Sequence, residues 1–217
     1  MSELLIAAAA GLPMAAGWLL HALRLRDRVD AARRDPLTGL LTRDAFAERA
    51  TKVLAGGRSA VYVIDLDRFK EINDTHGHAA GDAVIAATGR RLAEWAAVND
   101  ATVVRLGGDE FAAVARVLSL ADLSWTLAEL TRAIEELVMV DGRPLTVGAS
   151  IGAVAYDPRT DDMDLSTLLR LADEQMYAAK CSGADWLTAL DLTPQAGTVN
   201  GRRAGRRGTS GGTEAAA

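Results

Sequence analysis

The stretch that most constrains the fold is "ATVVRLGGDEFAAVAR", which runs from Ala101 to Arg116. Two runs of strand-like composition flank Gly107 and Gly108, and paired glycines between apolar runs predict a tight hairpin turn. The chain therefore contains at least one antiparallel strand pair, which argues against a purely parallel α/β sheet. Asp109 and Glu110 fall at the turn, where their carboxylates can stay hydrated or hold a cation. On these residues alone, a plain hairpin with a polar tip explains the pattern equally well.

A second stretch, "VYVIDLDRFKEINDTHGHAAGD" over residues 61–82, places acids at the end of a buried strand. Asp65 and Asp67 stand at that strand end, and carboxylates there commonly hold Mg²⁺ together with substrate phosphates. Lys70 follows where a short helical turn would begin. Its ammonium group and the nearby main-chain amides could bind phosphate oxygens. The stretch therefore suggests a metal and phosphate site.

The same stretch also has interpretations that need no ligand. Asn73 and Asp82 supply the donors and acceptors needed to read a base edge, but Asn73 also suits a turn and Asp82 a helix N-cap. Asp67 suits an N-cap as well. His76 and His78 flank a glycine and are too few for a metal site, so we expect turn or capping roles for them.

Helical and strand-like patterns alternate between residues 35 and 193. Asp35 suits either a helix N-cap or a turn that ends at Gly39. Beyond the hairpin, the patterns predict helices over 43–55, 82–97, 120–138 and 164–183, and strands over 59–67, 145–156 and 185–190. Gly183 is the expected C-cap of the last helix. Together these elements predict an α/β (α+β) domain with a mixed or antiparallel sheet flanked by helices.

The two ends of the chain differ from its middle. Leu4–Leu23 has no Asp, Glu, Lys or Arg over twenty residues, the length that a membrane-spanning helix needs. We therefore expect a membrane helix over residues 1–23, with a buried Ala-rich helix as the alternative. The arginine-rich residues 24–34 predict a helical linker on the cytoplasmic side. Residues 194–217 are rich in Gly and Arg and predict a disordered tail.

The charge distribution argues against one class of binding partner, and the cysteine content excludes a disulfide within the chain. The formal net charge is −5, and arginines concentrate at both ends, so the middle of the chain is acidic. An acidic domain is a poor partner for nucleic acid, whose phosphates bind Lys and Arg, so no nucleic-acid partner is expected. Cys181 is the only cysteine in the sequence, and no disulfide can form within the chain.

Five stretches, in order, resemble the GGDEF family, the diguanylate cyclases. They are "DPLTGLLTR" at 35–43, "DLDRFKEINDTHGHAAGD" at 65–82, "RLGGDEF" at 105–111, "ASIGAVAY" at 149–156 and "ADEQMYAAKCSG" at 172–183. The resemblance covers nearly all of residues 35–187. It implies a single GGDEF domain over 35–193, with a largely antiparallel sheet of about five strands, related to the palm of nucleotidyl cyclases.

The resemblance also implies a reaction. Two GTP molecules, one in each subunit of a homodimer, would condense to cyclic di-GMP and two pyrophosphates. Each ribose 3′-hydroxyl would attack the α-phosphate held by the other subunit, with two Mg²⁺ (or Mn²⁺) ions in each active site. Together with the predicted membrane helix, this implies a single-pass protein of the bacterial inner membrane with its catalytic domain in the cytoplasm.

Matching position to position, the resemblance implies a role for each motif residue. The metal ligands would be Asp65, Asp109 and the carbonyl of Leu66. The catalytic residues would be Asp109, Glu110 and Lys70, with Glu110 close to the reacting hydroxyl or its metal. Among the substrate-binding residues, Asn73 and Asp82 would bind guanine. Lys70, Lys180 and the main chain of Arg68 and Phe69 would bind the phosphates. Gly107 and Gly108 would let the nucleotide approach the hairpin.

Two departures from the family pattern carry expectations. Many members have an inhibitory Arg-x-x-Asp site before the hairpin, but residues 98–101 here read Val-Asn-Asp-Ala, so no product inhibition through that site is expected. Members often have a basic residue after the glycine that ends the last helix, where this chain has Ala184 and Asp185. Weaker GTP binding is therefore expected, without loss of chemistry.

Two other functions compete with the cyclase. One is a membrane-tethered GTP-binding regulator with weak or no turnover. The absence of a basic residue at Ala184 is compatible with this function, whereas the intact acids at 65, 109 and 110 argue against it. The other is a different nucleotidyl transferase on the same fold, which the guanine-reading pair Asn73 and Asp82 opposes.

Overall fold

The structure of the chain, a computed structural model, describes residues 2–189, apart from the side chains of residues 2–15, Asp27 and Leu120. The predicted tail at 194–217 and the last predicted domain residues, 190–193, lie outside the described residues. The described helices are α1 Ser2–Ala32, α2 Arg43–Ala55, α3 Phe69–His76, α4 His78–Val98, α5 Leu120–Glu135 and α6 Leu165–Ser182. The described strands are β1 Ser59–Leu66, β2 Thr102–Gly107, β3 Glu110–Arg116, β4 Val138–Val140, β5 Arg143–Leu145, β6 Ala149–Tyr156 and β7 Trp186–Ala189.

The main sheet has five strands in the order β2-β3-β1-β6-β7. Its neighbours pair antiparallel except β6 and β7, which run parallel. The prediction of a mixed, mostly antiparallel five-stranded sheet flanked by helices is therefore confirmed. Strands β4 and β5 form a separate two-stranded hairpin that the sequence did not predict.

The central strand β1 lies between two hydrophobic cores, and all eight of its residues are buried. Side chains alternate between the faces of a strand, so Tyr62 and Ile64 enter one core while Val61 and Val63 enter the other. Helices α4 and α5 cover the first core, and α2 and α6 cover the second. Burial on both faces explains why β1 reads as a continuous apolar run that ends abruptly in acids.

Several helix ends differ from the sequence prediction. Asp82 is not an N-cap, because α4 begins four residues earlier at His78, after Gly77 with φ 83°. The stretch at Asp35 is a turn and not a helix start: the Asp35 carboxylate accepts hydrogen bonds from the amide and hydroxyl of Thr38 at 2.8 and 2.7 Å. Gly39, with φ 71°, lies within this turn.

Helix α5 ends at Glu135, three residues before the predicted end. The guanidinium of Arg91 on α4 donates to the carbonyls of Ile134, Glu136 and Leu137 at 3.1, 2.7 and 2.8 Å. These bonds satisfy carbonyls that have no partner within the helix, so the chain can leave α5 there and start β4. By contrast, α6 begins and ends within one residue of the predicted bounds, and Gly183, with φ 73°, is its C-cap as predicted.

Helix α1 is continuous from Ser2 to Ala32 and includes most of the predicted linker. Within the described residues, no helix is both long and apolar enough to cross a membrane. The predicted membrane helix over residues 1–23 is therefore unsupported, and residues 24–32 of the predicted linker are the C-terminal end of one long helix. The side chains of residues 2–15 lie outside the described part, and the inner-membrane location stays a prediction.

Candidate active site at the end of the central strands

The predicted acids meet where three neighbouring strands end. Asp65 on β1 is paired in register with Glu110 on β3 and with Ser150 on β6. The amide of Leu66 donates to the carbonyl of Asp109 at 3.2 Å, which places the acidic hairpin beside the end of β1. The site therefore takes residues from adjacent strands that are distant in sequence, as the motifs predicted.

Lys180 brings a positive charge to this cluster from α6. Its ammonium group donates a hydrogen bond to the carboxylate of Asp65, a residue that is 8% exposed. Partial burial lowers the pKa of Lys180, but the bond to Asp65 and the charges of Asp65, Asp109 and Asp67 outweigh burial and leave that pKa above its usual value. Lys180 is thus held in its charged form among the acids, where a phosphate could replace Asp65 as its partner.

Two arginine side chains donate hydrogen bonds to carbonyls of the glycine hairpin. Gly107 and Gly108 have φ values of 140° and 56°, which favour glycine, and the pairing shifts register between Arg105 and Gly107. The Arg105 guanidinium donates to the Gly108 carbonyl through Nε at 3.0 Å and Nη2 at 2.8 Å. Nε of Arg43 donates to the Leu106 carbonyl at 3.0 Å.

Arg105 also joins the hairpin to the turn that follows α1. Its Nη1 lies 3.4 Å from the Asp35 carboxylate, and both side chains are mostly buried. Burial raises the pKa of Asp35, but the hydrogen bonds from Thr38 and the Arg105 guanidinium outweigh burial and lower that pKa overall. The hairpin and the turn are therefore connected through one charged side chain.

The predicted guanine-reading residues lie on two helices that pack together. Asn73 is on α3 and half-buried, whereas Asp82 is on α4 and exposed. Gly77 separates the helices and caps both of them, whereas His76 is the last residue of α3 and His78 the first of α4, so the turn or capping roles expected for the histidines are wrong. The helix pair thus brings an amide and a carboxylate to one part of the surface.

The segment between β1 and α3 contains the predicted phosphate-binding main chain. Arg68 has a left-handed φ of 53°, unusual for a residue other than glycine, and Phe69 begins α3. Lys70 is exposed in the first turn of α3 and forms no ion pair within the described part of the chain. The structure therefore brings Lys180, but not Lys70, into contact with the acids.

Asp67 has a structural connection that the sequence did not reveal. Its carboxylate accepts a hydrogen bond from the Ser150 hydroxyl at 2.8 Å, and its amide donates to the Gly148 carbonyl at 2.9 Å. Arg68, and not Asp67, is the N-cap of α3, so the N-cap interpretation of Asp67 is wrong. Asp67 also lines a cavity of about 500 Å³ with Glu71 and other residues of α3. No local pattern could have paired it with a serine 83 positions away.

The oxygen donors at this site suit a hard divalent cation. Over the described residues, no three His, Cys, Asp or Glu side chains form a metal-holding cluster by themselves. Mg²⁺ usually needs only one or two carboxylates, and takes its other ligands from water and substrate phosphate. Asp65, Asp109 and the Leu66 carbonyl are adjacent and offer a donor set of that kind, so these residues fit the metal.

Comparison with known proteins identifies relatives of this chain. Residues 32–185 match the family model described as "Diguanylate cyclase, GGDEF domain". An uncharacterized 19.3 kDa protein of Streptomyces ambofaciens is 45% identical over 165 residues, covering 76% of this chain and 87% of that protein. Diguanylate cyclase DgcN of Escherichia coli is 37% identical, covering 70% of this chain but only 38% of DgcN.

A solved structure shows the same fold. The coiled coil and GGDEF domain of DgcB from Caulobacter crescentus, in complex with c-di-GMP, superposes with a TM-score of 0.68 at 26% identity. That likeness covers 80% of this chain and 96% of the DgcB chain. The chain therefore corresponds to less than half the length of DgcN but to nearly all of this DgcB structure.

Proposed function

Because the chain belongs to the GGDEF family of diguanylate cyclases, as its motifs predicted, we propose that it condenses two GTP molecules into cyclic di-GMP and two pyrophosphates. The observation that carries this proposal is the meeting of Asp65, Asp109 and Lys180 at one end of the sheet. Opposite charges gathered there suit a triphosphate and its cation, and the helix pair α3–α4 supplies polar groups for the base.

In this mechanism, Asn73 and Asp82 hold the guanine. The carboxylate accepts hydrogen bonds from donors on the guanine edge, and the amide can both donate and accept. Lys180 and Lys70 compensate the phosphate charge, and the main chain at Arg68 and Phe69 lies against the phosphate oxygens. These contacts place the α-phosphate for attack, and positioning of this kind supplies a large share of the rate in phosphoryl transfer.

Bond formation takes place between two subunits. The 3′-oxygen of one GTP bonds to the α-phosphorus of the other, the bond from that phosphorus to the bridging oxygen breaks, and pyrophosphate leaves. Glu110 lies beside the acids, where it can take the proton of the 3′-hydroxyl. Asp65, Asp109 and the Leu66 carbonyl would hold Mg²⁺ or Mn²⁺, two ions per site, and these ions would stabilise the negative charge on the phosphates. Two such transfers close the ring.

This reaction requires a homodimer, and α1 offers a surface for one. Five exposed residues follow the alternating spacing of four and three that characterises a coiled-coil seam: Trp18, Ala22, Leu25, Val29 and Ala32. Trp18 is 74% exposed and Leu25 is 54% exposed. We propose that two copies of α1 pair along this seam, and sedimentation of the full chain as a monomer at assay concentrations would contradict this.

Product analysis tests the proposed function. The full chain is mixed with GTP and Mg²⁺, and the products are identified by chromatography and mass. We expect cyclic di-GMP and pyrophosphate from the natural sequence and neither from a variant with Asp109→Ala and Glu110→Ala. A folded dimer that binds GTP without turnover would instead favour the regulator, and a different nucleotide product would favour another transferase.

The natural enzyme should not be inhibited by its product through an Arg-x-x-Asp site. Val98 stands at the position of the arginine and is 85% exposed, and Ala101 stands at the position of the acid. Neither side chain can form the charged contacts that such a site needs. Initial rates measured with added cyclic di-GMP should match those without it. Strong inhibition at low product concentration that disappears when residues 98–101 are changed would contradict this expectation.

Restoring a basic residue at Ala184 should strengthen GTP binding. Ala184 follows the cap of α6, four residues after Lys180, and its amide donates to the Ala179 carbonyl at 3.1 Å. A charge-assisted hydrogen bond contributes about 1.5–3 kcal/mol. Ala184→Arg should therefore lower the Kd for GTP roughly tenfold or more, as measured by calorimetry. Ala184→Gln adds length without charge and is the control. Equal affinities of both variants and the natural chain for GTP would show that the missing basic residue at position 184 does not weaken GTP binding.

A further inference from the structure

Gly81 occupies a helix position that glycine does not favour. It lies in the second turn of α4, is buried, and has none of the positive φ values that would call for glycine. Glycine is the poorest helix former after proline, so Gly81 weakens α4 at this point. Glycine in such a position is explained where another group approaches the helix too closely for a side chain.

The groups that approach Gly81 belong to residues of α3. A Cβ atom at position 81 would lie 2.1 Å from Oδ1 and 2.9 Å from Cγ of Asn73. It would also lie 3.1 Å from Cζ of Phe69. The carboxamide of Asn73 therefore rests directly on the surface of α4 that Gly81 leaves open. Asp82, the next residue of α4, carries the exposed carboxylate assigned to the same base.

We propose that Gly81 is a positioning residue that determines base specificity. By leaving room for the Asn73 carboxamide against α4, it holds the amide next to the carboxylate of Asp82, so that both meet one edge of a guanine. This inference rests on the proposed function, because it assigns a role to Gly81 within the GTP site. Gly81 has no side chain with which to bind the base, so it contributes to base recognition only through the position of Asn73.

The second glycine within α4 has a different neighbour. A Cβ atom at Gly89 would lie 2.5 Å from Cβ and 3.2 Å from Cα of Thr38, which belong to the turn after α1. Gly89 therefore allows backbone packing between α4 and that turn. The three atoms nearest to a Cβ at Gly81 all belong to side chains of α3, so a methyl group there is accommodated by movement of those side chains.

The variant Gly81→Ala should fold normally and bind GTP poorly. Alanine favours a helix, so the Tm should stay the same or rise. The added methyl group displaces the Asn73 carboxamide, and an unpaired polar group on the bound base costs affinity. We expect the KM for GTP to rise roughly tenfold or more, with a smaller change in kcat. The preference for GTP over ATP in direct binding should fall by a similar factor.

A double-mutant cycle on the full chain separates this role from a general disturbance. The four proteins are the natural chain, Gly81→Ala, Asn73→Ala and the double variant, each measured for GTP and ATP binding and for synthesis of cyclic di-GMP. If Gly81 acts through Asn73, adding Gly81→Ala to Asn73→Ala should change GTP binding by less than about threefold. Gly17→Ala is the control, because a Cβ there meets nothing within 4 Å and should leave selectivity unchanged.

The outcomes distinguish this inference from the proposed function. Unchanged selectivity in Gly81→Ala would overturn the inference. So would an effect of Gly81→Ala that is equally large without the Asn73 carboxamide. A natural chain that binds GTP selectively but makes no cyclic di-GMP would overturn the proposed function, while the binding cycle would still decide the role of Gly81. A natural chain without selectivity for GTP would overturn the inference.

Discussion

Replacing Asp65 by asparagine should abolish cyclic di-GMP synthesis while the domain stays folded. Asparagine keeps the shape of the side chain but removes its charge, so it is a poor metal ligand and leaves Lys180 without its ion-pair partner. Both effects act where negative charge develops on the phosphates. We expect kcat/KM to fall on the order of 10³-fold or more, as measured by the rate of pyrophosphate release.

The control for this prediction is Asp162→Asn. Asp162 is an exposed acid between β6 and α6, and it forms no ion pair within the described residues, so its replacement should leave the rate unchanged. Circular dichroism of both variants should match that of the natural chain. A folded Asp65→Asn variant that retains more than about a tenth of the activity would show that the carboxylate is not an essential metal ligand.

Replacing Gly152 by alanine should unfold the domain or destabilise it severely. Gly152 lies in the middle of β6, where α6 crosses the sheet. A Cβ atom there would lie 2.0 Å from the carbonyl oxygen of Ala172 and 2.1 Å from the amide nitrogen of Met176. Backbone atoms of a helix cannot turn away as a side chain can. We expect a loss of at least about 3 kcal/mol in the free energy of unfolding, seen as a Tm lowered by roughly 10 °C.

Gly56→Ala is a matched control for this prediction. A Cβ atom at Gly56 would also lie 2.0 Å from a neighbour, but that neighbour is Nη2 of Arg116, at the end of a flexible side chain. Gly56 has φ −82°, a value that alanine adopts readily. Gly56→Ala should therefore change the free energy of unfolding by less than about 1 kcal/mol. If Gly152→Ala loses as little free energy of unfolding as Gly56→Ala, helix α6 can move away from β6 at Gly152 and the prediction is wrong.

Most of the fold could be predicted from local patterns, because each major element carries its own signal. The glycine hairpin, the buried strand before Asp65 and the last helix with its Gly183 cap are examples. The early end of α5 could not be predicted, because it depends on Arg91 from another helix. The membrane helix was predicted from the apolar composition of 1–23, and the structure gives it no support.

The site could be predicted in its residues but not in all its contacts. The motifs identified the acids, Asn73 and Lys180 through resemblance, and the structure brings the acids together with Lys180. The bond between Asp67 and Ser150 and the close approach of the Asn73 side chain to Gly81 involve residues that meet only in the folded chain. A sequence pattern shows that a glycine is present, but it does not show which neighbour occupies the space.

Arg105 has a consequence for how the chain could respond to a stimulus. Its guanidinium contacts the carbonyl of Gly108 in the hairpin and the carboxylate of Asp35 just beyond α1. Arg105 therefore connects the hairpin to the turn that follows α1 through one side chain. A displacement of that turn would therefore change the contacts that Arg105 makes with the hairpin.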